Sequence, residues 1–217
     1  MTDRSEQVEQ HFHRTSKGFD SYYKDKKGVF SKLIDETFRR SMRMRYEKVI
    51  GSIAPYEGKT VLDVGCGAGR YCIALADKGI KKALGVDFAE NMIEEAKLLS
   101  RAFEMTEICE FERRDFMDMD TEQRFHHVIA MGVLDYVEDA VSFVKKMVET
   151  ATDSVMVSFP TTKGVIQKFR RFKFEKINKC PIHFYTVEDV ERIAREAGGE
   201  RIIVDKMAKD LFLTIKK

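Results

Sequence analysis

The feature that most constrains this chain is a short apolar run that passes into three glycines at alternate positions and then into a helical pattern. The segment reads VLDVGCGAGR over residues 61–70. An apolar run bounded by glycine predicts a buried strand, and the glycines let the chain turn tightly while a ligand approaches the backbone. Open α/β sheets bind ligands at the carboxyl ends of their strands, where this loop falls. We therefore expect the loop to form one wall of a ligand site.

Strands and helices alternate from this point to the end of the chain. Seven apolar runs read as strands: TVLDVG, KKALGVD, ICEFERRD, FHHVIAMG, SVMVSFP, RIIVD and LFLTI. One intervening helix carries Val137, Val141, Val144 and Val148, and another begins at a capping box of Thr186 and Asp189. The last two runs are only a few residues apart, so we expect an antiparallel hairpin. The pattern predicts an α/β fold, a doubly wound Rossmann-like sheet of seven strands, mostly parallel with a C-terminal antiparallel hairpin.

Residues 1–57 read as helical instead. One series at helical spacing consists of Phe30, Ile34, Phe38, Met42, Arg45 and Val49, and Gly51 and Pro55 are expected to close it. We expect residues 1–57 to form a helical cap or lid. Residues 58–217 would then form the ligand-binding domain of a protein that is a single domain overall.

Composition narrows the class of protein. With 43% hydrophobic and 34% charged residues among 217, the chain is not a disordered one. The net charge of +2 is too small to imply a nucleic-acid or membrane partner by itself. The four cysteines show no CxxC pair or zinc spacing, so we expect free thiols in a reducing compartment and no metal. No apolar run approaches the ~20 residues that span a bilayer, and the first residues are too polar for a signal peptide. We expect a cytoplasmic protein.

The charge pattern around the glycine loop indicates the kind of ligand. Asp87 ends the second predicted strand, 22 residues beyond Gly65, and a carboxylate there suits two ribose hydroxyls. A dinucleotide fingerprint needs G-x-G-x-x-G, whereas here the third glycine comes one residue early and Arg70 takes the last position. Asp63 would repel a pyrophosphate but tolerate an amino group. These residues predict a nucleoside with a positively charged tail, and a nicotinamide dehydrogenase is the alternative.

VLDVGCGAG followed by GVDFAENMIEEAK resembles the first two motifs of class I S-adenosylmethionine-dependent methyltransferases. The resemblance covers roughly residues 58–217. It implies S-adenosylmethionine as cofactor, with the methionine moiety over Gly65, Cys66 and Gly67, its amino group near Asp63 and the ribose on Asp87. It also implies that Phe88 and Met92 flank the adenine and that Asp115 and Phe116 meet its edge. Met131 and Gly132 would face the sulfonium and the acceptor.

The stretch after the fourth strand, MGVLDYVED, narrows the acceptor. It lacks the Asn/Asp-Pro-Pro-Tyr motif of methyltransferases that act on exocyclic amines of nucleobases or on protein glutamine. It resembles small-molecule methyltransferases of quinone and tetrapyrrole biosynthesis, and VEQHFHRTSKGFDSYYKD resembles the start of magnesium-protoporphyrin O-methyltransferases. O-methylation of a small molecule is therefore favoured over N- or C-methylation. The candidate acceptor-binding residues are Phe19, Tyr22, Tyr23, Tyr136 and Phe159, and the candidate bases are His183, Tyr185 and Asp135.

Lys163–Lys179 is a basic, aromatic segment that leaves other functions open. It holds seven basic residues and one acid, with three phenylalanines between them. Such a segment can be a solvated helix, or it can bind an acidic small substrate, a nucleic acid or a membrane surface. A second basic group, expected to be mostly solvated, consists of Arg39, Arg40, Arg43 and Arg45. An RNA or protein methyltransferase and a non-catalytic cofactor-binding module remain alternatives. The oligomeric state is left open.

Overall fold

The computed structural model describes the backbone of residues 29–120, 122–161 and 183–217, with side chains from Arg40 onward in those ranges. The predicted acceptor residues Phe19, Tyr22 and Tyr23 and the basic segment Lys163–Lys179 lie outside the described residues. The division into a cap of residues 1–57 and a domain of residues 58–217 stays a prediction.

Helices and strands alternate through the described chain. The helices are α1 (Val29–Ile53), α2 (Arg70–Asp77), α3 (Glu90–Ala102), α4 (Ala140–Thr150) and α5 (Val187–Glu196). The strands are β1 (Thr60–Val64), β2 (Lys82–Asp87), β3 (Cys109–Arg113), β4 (Phe125–Ala130), β5 (Ala151–Pro160), β6 (Arg201–Lys206) and β7 (Asp210–Lys216). A short 3₁₀ helix, Phe116–Asp118, follows β3.

The strands form one seven-stranded sheet in the order β3-β2-β1-β4-β5-β7-β6. β1 to β5 are parallel, whereas β7 is antiparallel to both β5 and β6. Only residues 207–209 join β6 to β7, which is too short for a parallel crossover, so the two strands form a hairpin. The doubly wound fold with its C-terminal hairpin is confirmed. The strand order reverses between β1 and β4, and the carboxyl ends of these two strands mark the position where such sheets bind ligands.

Two hydrophobic clusters cover the two faces of the sheet. Successive strand side chains point to opposite faces, so Val61 joins the cluster that contains α1, α2 and α3, while Leu62 joins the cluster that contains α4 and α5. β1 is buried on both faces, as expected for a central parallel strand. This packing holds the carboxyl ends of the central strands in fixed relative positions.

Local details differ from the expected boundaries. Val137 precedes α4, because Asp139 caps that helix by accepting a hydrogen bond from the Ser142 amide at 3.0 Å. Gly51 lies inside α1 rather than after it. The capping box at the start of α5 is confirmed: the Thr186 hydroxyl accepts from the Asp189 amide at 3.2 Å, and the Asp189 carboxylate accepts from the Thr186 amide at 2.9 Å.

Candidate active site

The glycine loop turns sharply between β1 and α2. Gly65, Gly67 and Gly69 have φ of 68°, 52° and 72°, a region that favours glycine. The amides of Gly65 and Cys66 donate to the Val86 carbonyl of β2, at 2.8 and 3.1 Å. The loop is therefore tied to the neighbouring strand, and its backbone follows a path that residues with side chains rarely adopt.

Neighbouring side chains also require glycine in this loop. A Cβ at Gly69 would lie 2.5 Å from the ring of Phe111, and one at Gly65 would overlap Cγ2 of Val133. The Phe111 ring also packs against Gly85 on β2, where a Cβ would come within 2.7 Å. Sequence reasoning missed the roles of both residues: Phe111 belongs to no motif, and Val133 falls in the MGVLDYVED stretch, which indicates the acceptor rather than a contact with the loop. Phe111 packs against the loop from β3, and Val133 packs against it from the turn after β4.

Asp87 connects the loop to the start of α3. Its Oδ2 accepts a hydrogen bond from the Gly67 amide and its Oδ1 accepts one from the Ala89 amide, both at 2.9 Å. A carboxylate offers about four lone-pair positions, so Asp87 can still accept from a ligand beside these two amides. Burial raises the pKa of Asp87, and its hydrogen bonds to backbone amides oppose that rise.

Asp63 adds a second carboxyl group at the base of the loop. It is 1% exposed, and its Oδ2 accepts a hydrogen bond from the Cys72 thiol at 3.8 Å. Burial, and then the negative charge of Asp87, raise its pKa from 3.8 to about 7. Burial and the two aspartates also raise the pKa of the Cys66 thiol. The surroundings of the loop therefore favour a positively charged group.

The residues expected around an adenine lie near this loop in different ways. Met92 is buried on α3, with its sulfur 4.0 Å from where a Cβ of Gly67 would be. Phe88 is half-buried, and its carbonyl accepts from the Arg113 side chain at 3.1 Å. Asp115 is exposed and caps the 3₁₀ helix by accepting from the Met117 amide at 2.9 Å. The ring of Phe116 is buried and packs edge-on against Phe143, so this side chain belongs to the core.

Two of the candidate bases, His183 and Asp135, are neighbours through their backbones. The His183 amide donates to the Asp135 carbonyl at 2.8 Å, which joins the segment before α5 to the turn after β4. Tyr185 is buried, its hydroxyl donates to the Leu134 carbonyl at 3.2 Å, and its ring packs edge-on against fully buried Phe159. Tyr136, half-buried, is anchored through its amide to the Val133 carbonyl at 2.9 Å. The buried rings of Tyr185 and Phe159 support this corner of the site from within the core.

Residues 56–198 match a family model described as a methyltransferase domain. The match covers more than half of the chain. The chain belongs to this methyltransferase family. The finding confirms the family that the glycine motif predicts and favours it over the dehydrogenase alternative.

Individual relatives agree with that family. The ubiquinone biosynthesis O-methyltransferase of Neisseria meningitidis serogroup C is 31% identical over 139 residues, 63% of this chain and 56% of the relative. The tRNA U34 carboxymethyltransferase of Shewanella halifaxensis is 29% identical over 90 residues, 42% of this chain and 27% of that protein. The chain spans about half the length of the first curated relatives it matches, or somewhat less.

A solved structure is similar to this chain in fold. The magnesium protoporphyrin IX methyltransferase of Synechocystis PCC 6803, crystallised with bound S-adenosylhomocysteine, superposes with a TM-score of 0.75. The alignment covers 97% of this chain and 98% of that protein at 20% identity. At this identity, the comparison concerns the fold.

The candidate site also contains polar residues that sequence reasoning missed. The Gly132 amide donates to the Ser158 hydroxyl of β5 at 2.8 Å, and Arg45 of α1 donates to the same oxygen from Nη1 at 3.3 Å. The Arg45 side chain is only 11% exposed and lies 3.6 Å from the Asp210 carboxylate. The expectation that Arg45 is mostly solvated is therefore wrong. Its place in the apolar series of α1 was the signal that it faces the sheet.

The described residues hold neither a metal-binding cluster nor a membrane-spanning helix. No cluster of three or more histidine, cysteine, aspartate or glutamate side chains able to hold a metal occurs among them. None of the described helices combines the length and apolar character that crossing a membrane requires.

Proposed function

We propose that this chain transfers the methyl group of S-adenosylmethionine to an oxygen atom of a small organic molecule. The observation that carries the proposal is the Asp87 carboxylate, held by the Gly67 and Ala89 amides at the carboxyl end of β2. The methyltransferase family supplies the class of chemistry. The relatives named as ubiquinone biosynthesis O-methyltransferases support oxygen as the acceptor atom.

The residues around the glycine loop fit S-adenosylmethionine. The remaining acceptor capacity of the Asp87 carboxylate suits ribose hydroxyls. Nothing comes closer than 4.0 Å to where a Cβ of Gly67 would lie, so a ligand can approach that backbone. The negative charges of Asp63 and Asp87 favour the ammonium group of the methionine moiety. Phe88 and Met92 are proposed beside the adenine, with the backbone of Asp115 and Phe116 at its edge.

S-adenosylmethionine supplies a methyl group on a sulfonium, which is already activated for displacement. The chain then has to hold the acceptor oxygen in line with that methyl, at ~3–3.5 Å, an effect that can lower the barrier by roughly 7–11 kcal/mol. A carboxylate acceptor needs no base, whereas a phenol must lose a proton. His183 is the proposed base, because its amide is bonded to the Asp135 carbonyl in the turn after β4 and histidine is the most frequent general base in enzymes.

The acceptor site is proposed at the carboxyl ends of β4 and β5. Tyr136 and the backbone of Met131 and Gly132 would line it. Phe19, Tyr22 and Tyr23 are proposed as further acceptor-binding residues. The MGVLDYVED stretch supports a small-molecule acceptor, because it lacks the Pro-Pro motif of amino methyltransferases. The described cysteines are buried free thiols, which supports a cytoplasmic location.

The first test is titration of S-adenosylhomocysteine into the full chain, followed by calorimetry and thermal unfolding, with NADH in a parallel titration. At a hundredfold excess over Kd the ligand should stabilise the fold by ~2.7 kcal/mol, which raises Tm by roughly 5–10 °C. A shift with NADH and none with S-adenosylhomocysteine would overturn the proposal.

The second test identifies the acceptor. Methyl-labelled S-adenosylmethionine is incubated with the protein and a panel of phenols, catechols, quinols and aromatic carboxylic acids, and with total tRNA in a separate reaction. Label in a small molecule supports the proposal, whereas label in tRNA alone would move the assignment to RNA methylation. Cofactor binding with no transfer to any acceptor would favour a non-catalytic module.

A further inference from the structure

Arg45 occupies an unusual position for a residue of a peripheral helix. Its guanidinium lies against the backbone of Gly132, where a Cβ would come within 3.2 Å of Nη1. Gly132 has a φ of 82°, so glycine is required there both by the backbone and by the arginine. The buried Arg45 guanidinium is thus placed directly at the carboxyl end of β4.

The ion pair with Asp210 does not account for this placement. The Asp210 Oδ2 that faces Arg45 Nε at 3.6 Å also accepts a hydrogen bond from the Ser41 hydroxyl. Among the described residues Nε has no hydrogen-bond acceptor, although it is buried. The directional bond of Arg45 is instead the one from Nη1 to the Ser158 hydroxyl. Asp210 balances the charge, and Ser158 receives the hydrogen bond.

Ser158 links Arg45 to the turn that packs against the glycine loop. Its hydroxyl also accepts from the Gly132 amide at 2.8 Å, so it fixes the turn that follows β4. The next residue of that turn, Val133, packs its Cγ2 on Gly65 so closely that a Cβ there would overlap it. A continuous series of contacts therefore runs from Arg45 through Ser158, Gly132 and Val133 to Gly65.

We propose that Arg45 is a positioning residue for the cofactor site: through Ser158 it holds the turn at Gly132 and Val133 against the glycine loop. The inference rests on the proposed function and adds a residue of α1 to the site. Because the turn and the loop share a packed contact, loss of the Ser158 hydrogen bonds should let both move. Preorganisation of the loop would then fall, and affinity for the cofactor with it.

A second ion pair on the same helix provides a matched control. Lys48 of α1 forms an ion pair with Asp205 of β6, with 2.8 Å between Nζ and Oδ2, and both side chains are 40% exposed. This pair also joins α1 to the C-terminal hairpin, but it makes none of the contacts with Ser158 or Gly132. Lys48→Ala therefore tests helix docking alone, separately from the effect of Arg45 on the turn.

The experiment compares wild type with Ser158→Ala, with the double variant Arg45→Met/Asp210→Asn and with Lys48→Ala. The double variant removes both buried charges, so no unpaired carboxylate is left to unfold the protein. The amide oxygen of the introduced asparagine still offers an acceptor to Ser41. Circular dichroism and Tm establish that each variant is folded. The Kd of S-adenosylhomocysteine is then measured by calorimetry, and hydrogen exchange is measured on peptides covering residues 60–75 and 125–137.

Ser158→Ala and Arg45→Met/Asp210→Asn are each expected to weaken S-adenosylhomocysteine about fivefold, or ~1 kcal/mol at 1.4 kcal/mol per factor of ten. A protein that carries all three substitutions should bind S-adenosylhomocysteine little more weakly than either variant, because both variants act through the Ser158 hydroxyl. In ligand-free samples of these variants, hydrogen exchange should rise in both peptides. Lys48→Ala should match wild type in both ligand affinity and hydrogen exchange. Wild-type affinity and exchange in the charge-neutral double variant would overturn the proposal. If hydrogen exchange rises in these variants but the wild-type protein does not bind S-adenosylhomocysteine, the contact series is supported and the cofactor assignment is rejected.

Discussion

Asp87 and Gly67 are joined by a hydrogen bond of 2.9 Å from the glycine amide to the carboxylate Oδ2. The other oxygen of Asp87 binds the Ala89 amide at the same distance, just before α3 begins. One side chain at the end of β2 therefore holds both the glycine loop and the entry to the next helix. The same carboxylate is the group we propose for the ribose, so structural and binding roles coincide in it.

Asp87→Asn should weaken S-adenosylhomocysteine at least about tenfold, or ~1.4 kcal/mol. An asparagine has one oxygen instead of two, so it cannot hold both amides and still accept two ribose hydroxyls. Calorimetric titration measures the effect. Asp77→Asn is the matched control, because that exposed acid at the end of α2 makes the same chemical change away from the loop. Equal affinities for the two variants would remove Asp87 from the site.

Asp63 should make cofactor binding depend on pH near neutrality. Its pKa is raised to about 7, so the carboxyl group is mostly neutral at pH 6 and mostly charged at pH 8. A ligand that bears an ammonium group prefers the charged form. Affinity for S-adenosylhomocysteine should therefore increase about tenfold between pH 6 and pH 8, with proton release detectable by calorimetry in buffers of different ionisation enthalpy.

Asp63→Asn is the variant that isolates this effect. It should bind the ligand more weakly at pH 8 and lose the pH dependence. The raised pKa also means that the ligand-free fold loses stability as pH rises from about 4 to about 7, since the unfolded chain releases the proton more easily. Urea unfolding of the variant should lack that loss. A wild-type affinity that is flat from pH 6 to pH 8 would contradict a direct electrostatic role for Asp63.

His127 should destabilise the fold on the acid side. Burial lowers its pKa from 6.5 to about 4, and its Nδ1 lies 2.8 Å from the Ser154 hydroxyl. The unfolded chain takes up a proton more readily than the folded one, so stability falls as pH drops from about 6.5 to about 4. His127→Asn should flatten this part of the curve while keeping a partner for Ser154. Urea unfolding at several pH values tests it, and an unchanged acid slope would assign the loss to other groups.

Gly69→Ala and Gly79→Ala separate backbone strain from steric overlap. Both glycines have positive φ, 72° and 90°, but a Cβ at Gly69 would meet the Phe111 ring at 2.5 Å while nothing lies within 4 Å of Gly79. We expect a loss of ~1 kcal/mol for Gly79→Ala and a further ~1–3 kcal/mol for Gly69→Ala. Chemical denaturation measures both losses. Adding Phe111→Leu should restore part of the lost stability in Gly69→Ala but not in Gly79→Ala. Equal losses of stability in the two glycine variants would show that the Phe111 ring moves aside without destabilising the fold.

The central part of the fold could be predicted because its signals are local. β1, the glycine loop and Asp87 were located from apolar runs, glycine spacing and charge, and the capping box at Thr186 was found from two residues three positions apart. The start of α4 was placed too early because Val137 fits the helical period. The Asp139 cap, whose carboxylate accepts a hydrogen bond from the Ser142 amide, decides the boundary.

The burial of Arg45 could not be predicted from the residues near it in the sequence. Its charge grouped it with solvated arginines, while its spacing grouped it with buried residues of α1, and no short-range pattern chooses between them. The choice depends on Asp210 and Ser158, which lie more than a hundred residues away along the chain. Phe111 and Val133 were missed for the same reason, since their contacts with the glycine loop cross from other strands and turns.

The order of strands and helices, the position of the glycine loop and the family could all be predicted from the amino-acid sequence, because hydrophobic period, glycine and cap residues act over a few positions. The side chains that pack on that loop, the burial that raises the pKa of Asp63 to about 7 and the removal of Arg45 from solvent follow from the folded arrangement instead. Burial and close packing arise when distant segments meet. Their energies depend on all the partners at once and are not contained in any single segment.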